Sequence, residues 1–310
     1  MKLFDLHCDT ATRLLGESRG LYENNFHISL KNAEYLEKYA QVMAIWTDYK
    51  LSDEEGYLRF FEVLKNLKNE IEINKDTVGL ITNSNQLDSY LNSSKTPLIL
   101  AVEDARILAN DISRLDVLYS NGVRLITLNW YGETCIGGGH DTNIGLSDFG
   151  TSVVNKCFDL GIIPDISHSS FAGARMTLDL AKQHSKPIVA SHSDSYSINP
   201  HTRNLKDEYF RDIIEIGGLV GINLCTSHLS SSYDVYVSDI VKHIEHYLSL
   251  GGEDILAMGC DLDGTDLPEG FSGIKDIYKI ADELQRLNYS QELIDKITYK
   301  NAFEFFKRNF

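Results

Sequence analysis

Eight short apolar runs recur along the chain: KLFDL from Lys2, QVMAIW from Gln41, PLILAVE from Pro97, VRLITLNW from Val123, GIIPDIS from Gly161, PIVASHS from Pro187, LVGINL from Leu219 and ILAMGCD from Ile255. Most lack strict alternation of apolar and polar positions. Strands covered on both faces, as in a parallel sheet, have this pattern. The first run ends in a histidine, a cysteine and an aspartate. Alternate side chains of a strand share a face, so His7 and Asp9 point one way and Cys8 the other.

Helical patterns separate the runs. The clearest begins at Ser52, where Ser52 and Glu55 have capping-box spacing. Tyr57, Phe60, Phe61, Leu64, Leu67 and Ile71 then recur every three or four residues, which makes one helical face. SDIVKHIEHYLSLGG and KDEYFRDIIEIGG both end in a glycine pair, a helix stop. Strand and helix in alternation imply a parallel sheet. Eight such units in roughly 250–300 residues favour a closed (β/α)8 TIM-type barrel, with residues 1–310 as one domain. An open doubly wound sheet is the alternative. It usually carries a Gly-rich phosphate loop after an early strand, and no G-x-G-x-x-G occurs here. CIGGGHD (135–141) lacks that spacing and reads as a flexible loop.

Barrel chemistry sits at the C-terminal ends of the strands. The first run ends in His7 and Asp9, the third in Glu103, the fifth in His168, the sixth in His192 and the eighth in Asp261. Each has an ordinary structural explanation alone: a histidine bonded to a carbonyl, a glutamate capping a helix, Asp261 or Asp263 in a turn. Jointly they are hard to obtain from structural needs, because buried charge is costly unless paired or metal-bound. Three histidines and two or three carboxylates exceed the three protein ligands of a mononuclear catalytic zinc. Two ions ~3.5–4 Å apart would use them all. Glu103 lies between the two groups in barrel order and is the expected bridge.

Composition narrows the function. A net charge of −16, from 29 basic and 45 acidic residues, disfavours nucleic acid and anionic membranes. No apolar run approaches the ~20 residues needed to span a bilayer. No signal-peptide core follows Met1. Five scattered cysteines without C-x-x-C suit a reduced, cytoplasmic chain.

The stretches DLHCDT, LAVEDA, DISHSS, SHSDSYSINPHTRN and GCDLDG run in order from residue 5 to residue 264. In combination the chain resembles the membrane (renal) dipeptidases, zinc metallopeptidases with an amidohydrolase-like barrel, and within them a bacterial cytosolic branch. The resemblance implies two Zn2+ per chain, with Mn2+ or Co2+ able to substitute. His7 and Asp9 would hold one ion, His168 and His192 the other, and Glu103 would bridge them. Asp261 would transfer a proton near a bridging hydroxide, and Arg203 would bind the substrate's terminal carboxylate. The implied substrate is a dipeptide, with a D-residue tolerated at its C-terminal position, and the implied assembly is a homodimer.

One position departs from the mammalian pattern. Relatives of that type have a histidine in TLTH that contacts the substrate carbonyl, and here TLNW puts Trp130 there. Losing one oxyanion donor can cost ~10²–10³ in kcat. His140 could replace it, with glycines 137–139 giving it freedom to swing in; alternatively Trp130 walls the pocket and His140 is a solvent-exposed loop residue. Two other functions stay open: a hydrolase of another carboxylate-bearing lactam, lactone or cyclic amide, and a catalytically weak small-molecule-binding relative.

Overall fold

The computed structural model describes residues 1–93 and 95–310. Its strands, all parallel, are β1 (Lys2–Cys8), β2 (Lys38–Trp46), β3 (Val78–Leu80), β4 (Thr96–Glu103), β5 (Val123–Thr127), β6 (Ile163–Asp165), β7 (Val189–Ala190), β8 (Leu219–Ile222) and β9 (Leu256–Met258). β1 pairs with β2 and β9, β2 pairs with β4, and β4 to β9 pair in succession. Eight strands therefore close a TIM-type barrel, and the open sheet is excluded. β3 stands outside the ring. Leu98 of β4 pairs with Gln41 on one edge and Leu80 on the other, and β5 takes over that second edge from Leu100 upward. Three residues are too few to read as an apolar run, so the sequence pattern shows the barrel and misses β3.

The helices form where capping and punctuation place them. Asp53–Ile73 starts at a capping box in which Ser52 accepts from the Glu55 amide and Glu55 accepts from the Ser52 amide. Asp207–Glu215 and Val237–Ser249 stop just before Gly217 and Gly251, whose φ angles of 66° and 92° an L side chain adopts only with strain.

Strand period divides the core into two layers. Phe4, Leu6, Ala40, Val42, Ala44, Ile99, Ala101, Leu125, Ile163, Val189, Leu219 and Ala257 fill the barrel. Their strand neighbours, among them Leu3, Met43, Ile45, Leu100, Val102 and Ile126, pack outward with the helices. Just past β9 and within β8 the inward positions are Gly259 and Gly221. The Ser191 carbonyl occupies the space a Cβ would need at both.

The N-terminal end of the barrel is closed by the last helix, Asn301–Asn309. Ala302, Phe305 and Phe306 join the interior cluster, with Tyr299 from the preceding π-helical turn. Phe306 stacks on Phe4 with ring centroids 5.2 Å apart. The Asn301 amide donates to the carbonyls of Glu253 and Leu256, each at 2.8 Å, and fixes the plug to the start of β9.

Candidate metal centre and active site

The inward parity of the strands, carried one step past the core, delivers side chains to the opposite rim. Trp46 continues Ala40, Val42 and Ala44; Glu103 continues Ile99 and Ala101; Asn223 continues Leu219; Asp261 continues Ala257. β1 reaches the rim differently. Asp5 pairs with Gln41 but Cys8 pairs with Met43, so β1 holds one extra residue. Such a bulge re-aims side chains next to a site, and His7 turns inward although Leu6 before it is already inside. Cys8 points outward and donates to the Met43 sulfur at 3.4 Å. His168 and Asp261 reach the rim through positive φ angles of 69° and 56°.

The expected ligands converge. Glu103 Oε2 lies 3.5 Å from His7 Nε2, while Glu103 Oε1 lies 3.0 Å from His168 Nε2 and 3.7 Å from His192 Nε2. His7 Nε2 is 3.4 Å from Asp9 Oδ2 and 3.8 Å from Asp261 Oδ1. The His168 and His192 Nε2 atoms face each other at 2.9 Å. Glu103 thus turns one oxygen to the His7–Asp9 pair and the other to the His168–His192 pair. All five residues are buried or nearly so.

Burial and crowding shift Glu103, Asp261 and the three histidines. Burial raises Glu103 to about 8 against the pull of His7, and raises Asp261 to about 7. Burial opposes the charged form of His7, yet Glu103 and Asp9 outweigh it and hold His7 well above its usual range. His168 and His192 are driven well below theirs, by burial and then by the positive charges of Arg203 and His7.

Both nitrogens of His7, Asp9 Oδ1 and His168 Nδ1 are buried without a hydrogen-bond partner. Unpartnered polar atoms are costly in a protein interior. Donor atoms of His7, Glu103 and His192, and of His7, Asp9 and Asp261, lie within 4.8 Å of one another. Bare nitrogens and carboxylate oxygens aimed at common points fit divalent cations.

Three residues that sequence reasoning passed over complete the arrangement. The Asp165 carboxylate accepts from Thr127 Oγ1 (2.7 Å), the amides of Ser167 and Ser191 (2.9 Å each) and Ser191 Oγ (2.5 Å). With its proton given to Asp165, Ser191 Oγ accepts from His192 Nδ1 at 2.7 Å. That leaves His192 Nε2 as a bare lone pair toward Glu103, the usual way a second residue fixes the tautomer of a ligating histidine. Asn223 Oδ1 accepts from the Cys225 amide at 2.7 Å, and its Nδ2 donates to Asp261 Oδ2 at 3.2 Å. Asp261 Oδ1 stays turned toward His7. Inward parity on a known barrel would have singled out Asn223; Asp165 and Ser191 open the DISHSS and SHSDSYSINPHTRN stretches, but nothing local shows that they bond to each other.

Asp263, the alternative to Asp261, is occupied: it accepts from Thr10 Oγ1 and the His27 amide, both at 2.6 Å. Arg203 is buried on the same rim, with Nη2 donating to the His192 carbonyl at 3.3 Å and Nε unpartnered. A cavity of about 430 Å³ opens above these groups, lined by Arg203, His140, His168, Trp46, Trp130 and Asp261 among others. Trp130 stands 5.9 Å from the His168 ring and His140 6.0 Å. His140 Nδ1 meets Thr202 Oγ1 at 3.0 Å, and burial beside Arg203 lowers it to about 4. The 135–141 loop is tied down rather than flexible, bridging Gly137 to Leu146 and Gly139 to Ser169. A Cβ at Gly137 would collide with the Gly145 carbonyl, so that glycine serves close packing and not freedom for His140 to swing.

Residues 1–309 match the family model of the membrane dipeptidases, peptidase family M19. A Klebsiella pneumoniae protein described as an uncharacterized protein in the pqqA 5' region is 30% identical over 60% of this chain and 72% of its own length. An uncharacterized dipeptidase of Schizosaccharomyces pombe is 28% identical over 71% of this chain, which spans 55% of that protein. Among solved structures, the chain superposes on a metallo peptidase from Rhodobacter sphaeroides liganded with a phosphinate mimic of the dipeptide L-Ala-D-Ala. The TM-score is 0.91 at 22% identity, covering 100% of this chain and 99% of that one. The probable dipeptidase PvdM from Pseudomonas aeruginosa gives 0.84 at 18% identity, covering 92% and 90%.

Proposed function

We propose, because this chain belongs to the membrane dipeptidase family (peptidase family M19), that its rim is a two-zinc centre hydrolysing dipeptides with a free C-terminal carboxylate. The family implies metal ions. We assign His7 and Asp9 to one, His168 and His192 to the other, and Glu103 to both, within a single catalytic domain of residues 1–310. The observation that carries this reading is the division of the two Glu103 oxygens between two imidazole groups at 3.0–3.7 Å. When bound, such ions lower the pKa of a shared water toward ~7 and polarise the scissile carbonyl.

The chain's own residues supply the rest. Arg203 pairs with the peptide's terminal carboxylate, a charge-assisted contact that a guanidinium can make bidentately. That anchor, so near the centre, limits the substrate to two residues. Asp261 receives the water's proton on Oδ1, because Oδ2 is held by Asn223, and delivers it to the leaving amine. Trp130 and Trp46 wall the centre from bulk water. Tolerance of a D-residue at the C-terminal position, substitution by Mn2+ or Co2+ and a homodimer follow from the family resemblance. Five free thiols, three of them buried, support a cytoplasmic setting. Among the described residues no helix is long and apolar enough to cross a membrane.

The test is turnover of matched L-L and L-D dipeptides by metal-replete protein, beside their C-terminal amides and a cyclic dipeptide. Free-acid dipeptides are cleaved and the amides are not; cleavage of the cyclic compound alone would overturn the reading. Asp261→Asn keeps its metals and loses ~10²–10⁴ in kcat.

A further inference from the structure

Both tryptophans of the chain, Trp46 and Trp130, stand on one side of the cavity. Their rings meet edge to face at 5.2 Å. Tyr49 stacks on Trp130 at 5.6 Å and 20°, and Tyr131 lies 6.1 Å from it. Tyr131 lines the cavity with the two tryptophans and is 52% exposed, and Tyr49, 51% exposed, extends that ring surface outward through its stack on Trp130. We infer that this wall of Trp46, Tyr49, Trp130 and Tyr131 receives the side chain of the substrate's N-terminal residue and makes the enzyme prefer a large apolar or aromatic residue there. The inference rests on the dipeptidase reading above.

Barrel order sets the orientation. Around the ring Trp46 ends β2, Glu103 ends β4 and Trp130 follows β5, whereas His192 follows β7 and Arg203 leans on the His192 carbonyl. Arg203 and the aromatic wall therefore occupy opposite halves of the rim, with Glu103 on the wall's side and His168, after β6, and Asp261, after β9, between the two. A dipeptide whose carboxylate is held at Arg203, with its peptide bond over the centre, extends its first residue toward the tryptophans.

The wall is pre-formed. Arg106, buried, donates to the carbonyls of Asp48 (2.6 Å) and Leu51 (2.9 Å), and its Nε lies 3.2 Å from Asp104 Oδ2. This pins the loop that carries Tyr49. A surface fixed before binding costs less ordering when a ligand arrives. Lys50 lies 5.8 Å from the Tyr49 ring, which takes the outer edge of the wall and disfavours a basic first residue.

Two peptides of identical composition, L-Phe-L-Ala and L-Ala-L-Phe, test the inference. With metal-replete enzyme, kcat/KM is about tenfold or more higher for L-Phe-L-Ala, chiefly through KM, in the range one hydrophobic subsite provides. Trp130→Ala brings the ratio toward unity and Trp130→Phe restores it. Tyr49→Ala, at a half-exposed ring, lowers the ratio in a variant whose folding is not at stake. Tryptophan emission reports the wall directly, since both indoles lie in it; in metal-loaded Asp261→Asn it responds to L-Phe-L-Ala more than to L-Ala-L-Phe. Equal rates for the two peptides, a preference for L-Ala-L-Phe, or a ratio unmoved by both substitutions would overturn the inference and leave the dipeptidase reading standing. Selective emission changes without turnover of either peptide would support the wall and sink the dipeptidase reading.

Discussion

The two ends of this barrel are made by the same strands and are chemically opposite. At the N-terminal end, Phe305 and Phe306 of the last helix fill the opening against Phe4, Leu6 and the aliphatic residues that line the barrel. At the C-terminal end, three histidines and three carboxylates face one another within 4 Å, several with buried atoms that have no partner. Backbone strain follows the same division. Asp104, His168, Asp261 and Asp263, half of the eight non-glycine residues with positive φ among those described, lie at or beside the rim. Strain and unmet polar groups persist only where the surroundings enforce them. One end is built for stability; the other holds groups in arrangements that would relax if they were free to.

Substitutions at the two ends should therefore separate cleanly. The largest effect belongs to the rim: Glu103→Ala abolishes turnover and releases most of both ions, while melting of the metal-free variant is unchanged or raised, since a buried, crowded carboxyl is gone. Loss of only one ion would make Glu103 a ligand of a single metal. At the other end, Phe306→Ala costs ~3–5 kcal/mol in urea unfolding, while the folded fraction keeps its metal content and kcat. A parallel loss of metal would join the two ends and break the comparison.

Smaller effects probe the rim's outer parts. His140→Ala changes kcat little if Trp130 is a wall and the ions hold the oxyanion; a fall of a hundredfold or so at constant KM would make His140 an oxyanion donor. His243 supports the loops above the rim. The Ser195 amide donates to its Nδ1 and its Nε2 donates to the Leu229 carbonyl, both at 2.9 Å, so only the neutral ring fits. Burial lowers it from 6.5 to about 4. The unfolded chain therefore takes up this proton first as pH falls. The contribution of His243 is complete above about 6.5 and is lost as pH drops from there toward about 4. Unfolding of metal-free wild type and His243→Asn across that range should show a shallower pH slope in the variant; equal slopes would exclude His243 as the source.

Much of this was legible in the chain. The eight barrel runs, the Ser52–Glu55 cap and the convergence of His7, Asp9, Glu103, His168, His192 and Asp261 all come from local patterns: strand period, capping spacing and polar residues at strand ends. What escaped depends on neighbours distant in sequence. The bulge that turns His7 inward exists only against β2. Asn223 gains meaning from Asp261, thirty-eight residues on. Ser191 acts between Asp165 and His192, and a serine beside a histidine carries no signal of that. The aromatic plug reads as an ordinary amphipathic helix until the barrel gives it an end to close. The glycines of 137–139 suggested freedom, whereas the fold uses Gly137 for a close approach.

Metal content per chain is the most direct measurement of the central claim. Protein stripped with chelator, reconstituted with Zn2+ and freed of excess metal should hold two ions, because Glu103 offers one oxygen to each of two imidazole groups. A single tightly held ion, or none, would contradict the two-metal centre.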